Sequence, residues 1–257
     1  MADRQRATKS LRSRFDEIYD TRIIGAGFVE SDEYYKLEKE RYWRSFELLC
    51  ESNLPAPADI LEIGGGQMAV LRKMLFGDQC VVGDISSDYR APLQKVGVES
   101  MIFNLMDPVP SEVGRKFDVV ILLEVIEHIP LPPYVVFERI KQLLKPDGLI
   151  FMTTPNLFRV RNLIRMFLGI EFLDRFMLPR PGEGLGHQLE YSAQHLQWQI
   201  ERAGMETVML AHDSMGHVGH SRKAQLARTL TAPLEKLRPI WRDGLVAIAK
   251  NVARGPA

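Results

Sequence analysis

Residues 59 to 66 read Asp-Ile-Leu-Glu-Ile-Gly-Gly-Gly, and Val81-Val82-Gly83-Asp84 follows after a stretch of helical length. An apolar run closing in a carboxylate and glycines, then a helix, then a second apolar run closing in Asp, is the order of a βαβ unit whose first turn meets a ligand. Close approach of backbone requires glycine there, because a Cβ would occupy the same space. Asp84, at the end of the second run, stands where ribose hydroxyls are accepted. The pattern predicts an adenosine-bearing cofactor.

Two cofactor classes use such a unit. A dinucleotide sets its pyrophosphate on the helix N-terminus behind G-x-G-x-x-G, and here Gly64 and Gly66 are followed by Ala69 in the third place. Glu62 separates the classes better. A carboxylate two residues before the turn repels a pyrophosphate and favours a cofactor that carries positive charge. An oxidoreductase that uses a nicotinamide dinucleotide stays as the alternative.

Apolar runs recur near 59–63, 80–84, 100–105, 117–124 and 148–154, with two later ones near 206–211 and 245–250. Runs this continuous belong to a parallel sheet covered on both faces, so the fold class is α/β. Ahead of them, residues 1–53 alternate at helical spacing, with Tyr34, Tyr35, Leu37, Tyr42, Trp43 and Phe46 available for one face, up to a proline stop at Asn53-Leu-Pro-Ala-Pro. These helices are expected to form a lid. Residues 157–186 break the strand and helix rhythm with Phe158, Leu163, Ile164, Phe167 and Phe176 among arginines from Arg159 to Arg180. An insertion after the fifth strand projects from the ligand end of such a sheet, so it is expected to be an acceptor-binding cap; packing on the core and peripheral membrane contact are the alternatives.

The whole, residues 1–257, is expected to be one enzyme-sized domain, with 46% apolar and 26% charged residues. A formal net charge of +0 leaves nothing to steer the chain to nucleic acid. Cys50 and Cys80 lie too far apart for a disulfide framework or a thiolate cluster to be expected. No apolar run is long enough for a bilayer, and the polar opening lacks a secretory core, so a cytoplasmic protein is expected. The expected partner is a small-molecule acceptor; the oligomeric state is unknown.

Chemistry concentrates at Glu124, Glu127 and His128. If the fourth strand ends near Glu124 and a helix follows, spacings of three and four turn these side chains to one site. Two carboxylates and an imidazole suit a divalent ion of the magnesium type. His128 alone is the alternative, a base with an ordinary pKa of about 6.5. Asn104, at the end of the third strand, either reaches an adenine amine or forms the turn before Asp107-Pro108.

These blocks, in order through Glu62-Ile-Gly64-Gly65-Gly66, Val81 to Asp84, Phe117 to His128 and Leu143 to Asn156, resemble the class I S-adenosylmethionine-dependent methyltransferases. Met68 departs from the longer motif, where a third glycine is usual. The resemblance implies a Rossmann-like, mainly parallel seven-stranded sheet with helices on both faces and an antiparallel last strand. It implies that Glu62, Gly64, Gly65, Gly66, Asp84, Asn104 and Glu124 bind S-adenosyl-L-methionine, and that His128, Glu127 and His187 carry catalysis. Glu-x-x-Glu-His is similar to the ubiquinone-biosynthesis O-methyltransferases and to small-RNA 3′-terminal 2′-O-methyltransferases. That likeness implies a divalent cation such as Mg on Glu124, Glu127 and His128, with His187 of Gly186-His187-Gln-Leu-Glu190-Tyr191-Ser192 as fourth ligand. The implied reaction is O-methylation of a small metabolite, lipid quinone or sugar, with RNA-end methylation or a cofactor-binding regulator as alternatives.

Ser192 predicts a helix start and Ala203-Gly204 its end, with His195 on the exposed face. His212, His217 and His220 are expected in one glycine-containing loop. Arg222 to Arg242 reads as a basic amphipathic helix bridging the last two strands, with Leu226, Leu230, Leu234 and Leu237 on its period and its charges solvated.

Overall fold

The computed structural model describes residues 2–109, 114–173, 186–215 and 222–252. By contact the chain divides into two compact units, residues 1–103 with 215–222, and residues 104–214 with 223–257.

The first unit opens with α1 (Ala2–Arg22) and α2 (Asp32–Cys50). Ser31 caps α2 by accepting the Tyr34 amide at 3.2 Å, and Asp32 and Glu33 place negative charge in its first turn. Phe15 and Tyr19 of α1 and Tyr35, Tyr42 and Phe46 of α2 are buried, with the Phe15 and Trp43 rings 5.1 Å apart edge to face. Of the face expected from the sequence, Tyr35, Tyr42 and Phe46 are buried, whereas Tyr34, Leu37 and Trp43 are half-buried. Three parallel strands follow: β1 (Asp59–Ile63), β2 (Gln79–Asp84) and β3 (Glu99–Ile102), with Glu62 beside Val82 and Gly83 beside Met101. Helices α3 (Gln67–Phe76) and α4 (Arg90–Lys95) connect them. The hydroxyl of Tyr42 donates to Oε1 of Gln67 at 3.3 Å, and Gln67 donates to the Tyr35 hydroxyl at 3.0 Å, so α2 is tied to the first residue of α3.

The second unit holds β4 (Phe117–Leu123), α5 (Pro133–Lys141), β5 (Leu144–Pro155), α6 (Val160–Phe167), α7 (Ala193–Arg202), β6 (Glu206–Asp213), α8 (Arg222–Leu237) and β7 (Gly244–Lys250). β4 and β5 are parallel, and β7 runs antiparallel to both β5 and β6. The strand order over both units is β3-β2-β1-β4-β5-β7-β6. This is the Rossmann-like, mainly parallel seven-stranded arrangement, its last strand reversed.

Some boundaries move. β5 begins at Leu144 rather than near 148, because the chain passes Asp147 at φ 61° and continues as strand with a register shift opposite Phe117 and Val119. β6 runs on to Asp213, which puts His212 in a strand and not in the expected loop, half-buried and with its pKa lowered by that burial. His217 and His220 lie outside the described residues. Of 157–186, α6 and the turn after it are described, whereas 174–185, with Phe176 and Arg180, lie outside them. Ser192 caps α7 by accepting the His195 amide at 3.2 Å, and His195 is exposed.

Candidate functional site

In the first unit the turn between β1 and α3 is built from three successive left-handed residues, Gly64, Gly65 and Gly66, at φ 79°, 105° and 110°. A Cβ on Gly66 would come within 3.0 Å of Leu93 Cδ2 and 3.1 Å of Val82 Cγ2, so both conformation and space demand glycine. Gly64 donates to the Gly83 carbonyl at 2.9 Å, which joins the turn to β2.

Glu62 is 1% exposed, and its carboxylate accepts the amides of Ala69 at 2.6 Å and Met68 at 3.3 Å. Those N–H groups belong to the first turn of α3 and have no partner within the helix. Glu62 therefore clamps the glycine turn onto the start of α3. Burial pushes its pKa up to about 7, against the amide donors. Met68, in place of a further glycine, is wholly buried and takes its place in helix packing.

Asp84 ends β2 with Oδ1 accepting the Ser86 amide at 2.8 Å. Its pKa is raised by burial, against hydrogen bonds from the backbone of Ser86 and Gly65. The bond from Gly65 sets the carboxylate beside the glycine turn. A cleft next to it is lined by Val82, Asp84, Ser86, Tyr89, Met101 and Ile102. Ser87, Arg90 and Ser100 complete its wall, so polar and charged groups alternate there with apolar ones. Tyr89 and Met101 could not be singled out from the sequence, since ordinary core positions carry the same residue types.

In the second unit Asn104 adopts its turn role: Oδ1 accepts the Met106 amide at 2.9 Å, and its carbonyl accepts from Asp107 at 3.1 Å. After β4 the expected helical face does not form. Glu124 sits at φ 54°, and only a 3₁₀ turn over Ile126–His128 follows before Pro130, Pro132 and Pro133 intervene. Helical spacing therefore does not gather Glu124, Glu127 and His128, contrary to expectation.

A different contact assembles the cluster. Gln188 and Leu189 donate their amides to the Glu127 carbonyl at 2.7 and 3.3 Å, and Asn156 and Tyr191 form a parallel bridge. This brings His187 to His128, their rings 4.9 Å apart and edge to face. Ligand atoms of Glu127, His128 and His187 all lie within 4.8 Å of one another; Glu124 is not among them. Glu124 does act on Glu127 through its charge, which together with the larger effect of burial raises the Glu127 pKa well above the carboxylate range. Thr154 donates to Glu127 Oε2 at 3.0 Å, while Oε1 of both Glu124 and Glu127 is buried with no hydrogen-bond partner.

The His128 Nδ1 lies 3.1 Å from the Gly186 carbonyl. A carbonyl only accepts, so Nδ1 carries the proton and the neutral ring has its lone pair on Nε2. His187 is held in turn: its Nδ1 lies 3.3 Å from Glu190, which is 1% exposed and also accepts from Asn162 at 2.6 Å and from Arg159. Burial works to raise the Glu190 pKa, and its His187, Arg159 and Asn162 partners outweigh it, so the group stays ionised below its ordinary value. Glu190 and Thr154 are the positioning groups that motif reading misses.

A glycine turn clamped by a carboxylate, with an acidic residue ending the next strand, sits in an α/β sheet of the class I methyltransferase architecture. A family model described as a methyltransferase domain matches residues 35–210, more than half of the chain, and the chain belongs to that family. The ubiquinone biosynthesis O-methyltransferase of Haemophilus ducreyi is 42% identical over 67 residues, 26% of this chain and 27% of that protein. The match thus spans about a quarter of that curated relative's length. A SAM-dependent methyltransferase from Archaeoglobus fulgidus superposes with a TM-score of 0.54 at 16% identity, covering 84% of this chain and 99% of its own. Geranyl diphosphate methyltransferase in complex with SAM gives 0.57 at 12% identity, covering 86% and 89%. These two share the fold.

Proposed function

We propose that the chain transfers the methyl group of S-adenosylmethionine to a hydroxyl oxygen of a small molecule. The first unit supplies the nucleoside site, with Asp84 accepting the ribose hydroxyls and the turn Gly64–Gly66 lining the methionine end. α2, tied to α3 through Gln67, and α1, tied to it through Arg14 and the Leu75 carbonyl, serve as its lid. His128 supplies the proton chemistry. Residues 157–186, which include α6, bind the acceptor.

The methyl carbon leaves a sulfonium, which becomes a neutral thioether, and bonds to the acceptor oxygen, whose proton passes to a base. A good leaving group is built into the cofactor. Orientation accounts for about 7 to 11 kcal/mol of barrier lowering in favourable cases, and a base adds typically about 10²- to 10⁴-fold. The observation that carries the hydroxyl assignment is His128, held by the Gly186 carbonyl as the tautomer with its lone pair on Nε2. Amine or carbon acceptors demand less of such a group. The likeness to ubiquinone biosynthesis O-methyltransferases supports a hydroxylated quinone precursor or related metabolite, and the net charge of +0 weighs against an RNA end.

A second reading rests on the same cluster. Glu127, His128 and His187 offer one carboxylate and two imidazoles within 4.8 Å of one another, and Glu127 Oε1 is a buried acceptor without a donor. That set fits a divalent cation, which would lower the pKa of a bound hydroxyl. Methyl transfer from labelled cofactor to a panel of phenolic, sugar and amine acceptors, with and without chelator, tests both readings. The proposal expects methylated phenols or sugars; exclusive methylation of amines removes the hydroxyl assignment, and activity that survives exhaustive chelation removes the cation.

A further inference from the structure

Helix α8 is turned inside out. Arg228 pairs with Asp243 at 2.5 Å, and Glu235, 8% exposed, accepts the Ser214 hydroxyl at 3.3 Å. Seven residues apart, Arg228 and Glu235 share the face that packs on the protein. Leu226, Leu230, Leu234 and Leu237 are 62%, 69%, 40% and 74% exposed. At roughly 100° per residue they lie about 160 to 240° around the helix from Arg228. The period read in the sequence is present, but its apolar side faces outward, the reverse of an ordinary surface helix.

A lone exposed leucine needs no explanation, whereas four on one helical face do. The stripe continues past the helix end, where Ile240 is 42% exposed and the guanidinium of Arg238 lies 5.7 Å from the Trp241 ring centroid. The segment is also one-sided in charge: from Arg222 to Arg242 it carries six basic residues and one acidic, in a chain of net charge +0. Lys236 and Arg238 are exposed beside the leucines. Leucines flanked by cations, with Trp and Arg at one end, match the polarity profile of a membrane boundary.

We propose that the leucine face of α8 docks on an anionic lipid bilayer, lying in the headgroup boundary without crossing it. Among the described residues no helix is long and apolar enough to span a membrane. A second copy of the chain is the poorer occupant, since a self-complementary contact would set the same cationic segment against itself. Anionic headgroups complement it. The inference rests on α8 and the turn after it, and stands whatever the acceptor of the methyl group.

Flotation of the full chain with vesicles of equimolar phosphatidylglycerol and phosphatidylcholine, and with phosphatidylcholine alone, tests it. Binding is expected to the anionic vesicles, weakened by salt, and reduced at least about tenfold by Leu230→Ser with Leu237→Ser. Lys236→Glu with Arg238→Glu should reduce it too. All four side chains are exposed, and matching thermal melts confirm that the variants fold. Absence of flotation, equal binding to neutral vesicles, or undiminished binding by the leucine variant overturns the proposal. So does a dimer in light scattering that the leucine variant dissociates, because the face then belongs to a second copy.

Discussion

The Glu62 carboxylate accepts the backbone amide of Ala69 at 2.6 Å, so the strand before the glycine turn and the helix after it are locked by one buried group. The sequence alone assigns Glu62 to the charge of a ligand. Its oxygens in fact meet the exposed dipole of α3 first, and any effect on a sulfonium comes from a turn that Glu62 has already shaped.

Burial raises the Glu62 pKa from an ordinary 4.5 to about 7. A raised carboxyl pKa means that its contribution to stability is fullest below the unfolded value and is lost as pH rises through the folded one. Wild type should therefore lose stability between about pH 4.5 and 7 relative to Glu62→Gln, by an amount on the order of 3 kcal/mol. Urea unfolding of both proteins across that range measures the difference. A parallel pair of curves refutes it.

Gly66 at φ 110° has Leu93 and Val82 where a Cβ would go. Gly66→Ala should cost about 1 to 3 kcal/mol in stability and abolish calorimetric binding of S-adenosylmethionine. Retained affinity would show that the turn does not touch the ligand.

His128→Ala should lower kcat by about 10²- to 10⁴-fold and leave the cofactor dissociation constant unchanged. The variant should also lose the acid limb of the kcat/KM profile that a neutral imidazole base produces. Unchanged turnover excludes His128 as base and as essential ligand.

Glu190→Gln keeps the shape and removes the charge that faces His187 and Arg159. A positioning role predicts a fall of about tenfold to a hundredfold in kcat and an altered pH profile, with cofactor affinity intact. A variant that changes only the melting temperature would reduce Glu190 to a structural role.

Much of this was legible from local signals. The β1 to β2 unit shows itself because glycine and carboxylate positions are fixed by backbone geometry within a few residues, and α7 because Ser192 and Ala203-Gly204 mark its ends. Charge spacing suggests a helix after Glu124, but Pro130 and Pro132 leave room for only a short turn before Pro133 opens α5. The Glu190 hub gathers partners 28 and 31 positions away, a relation no local pattern encodes. The leucine period of α8 fixes a helix but not which side faces in, since that depends on Asp243 and Ser214, supplied from elsewhere.

The central claim is that the turn Gly64–Gly66, shaped by Glu62 and flanked by Asp84, holds a sulfonium nucleoside. Calorimetric titration of S-adenosylmethionine and of NAD into the full chain, beside Asp84→Ala, tests it most directly. The account predicts one equivalent of S-adenosylmethionine bound, affinity lowered about 10- to 100-fold in the variant, and no heat from NAD. Binding of NAD alone, or S-adenosylmethionine affinity untouched by the loss of Asp84, contradicts it.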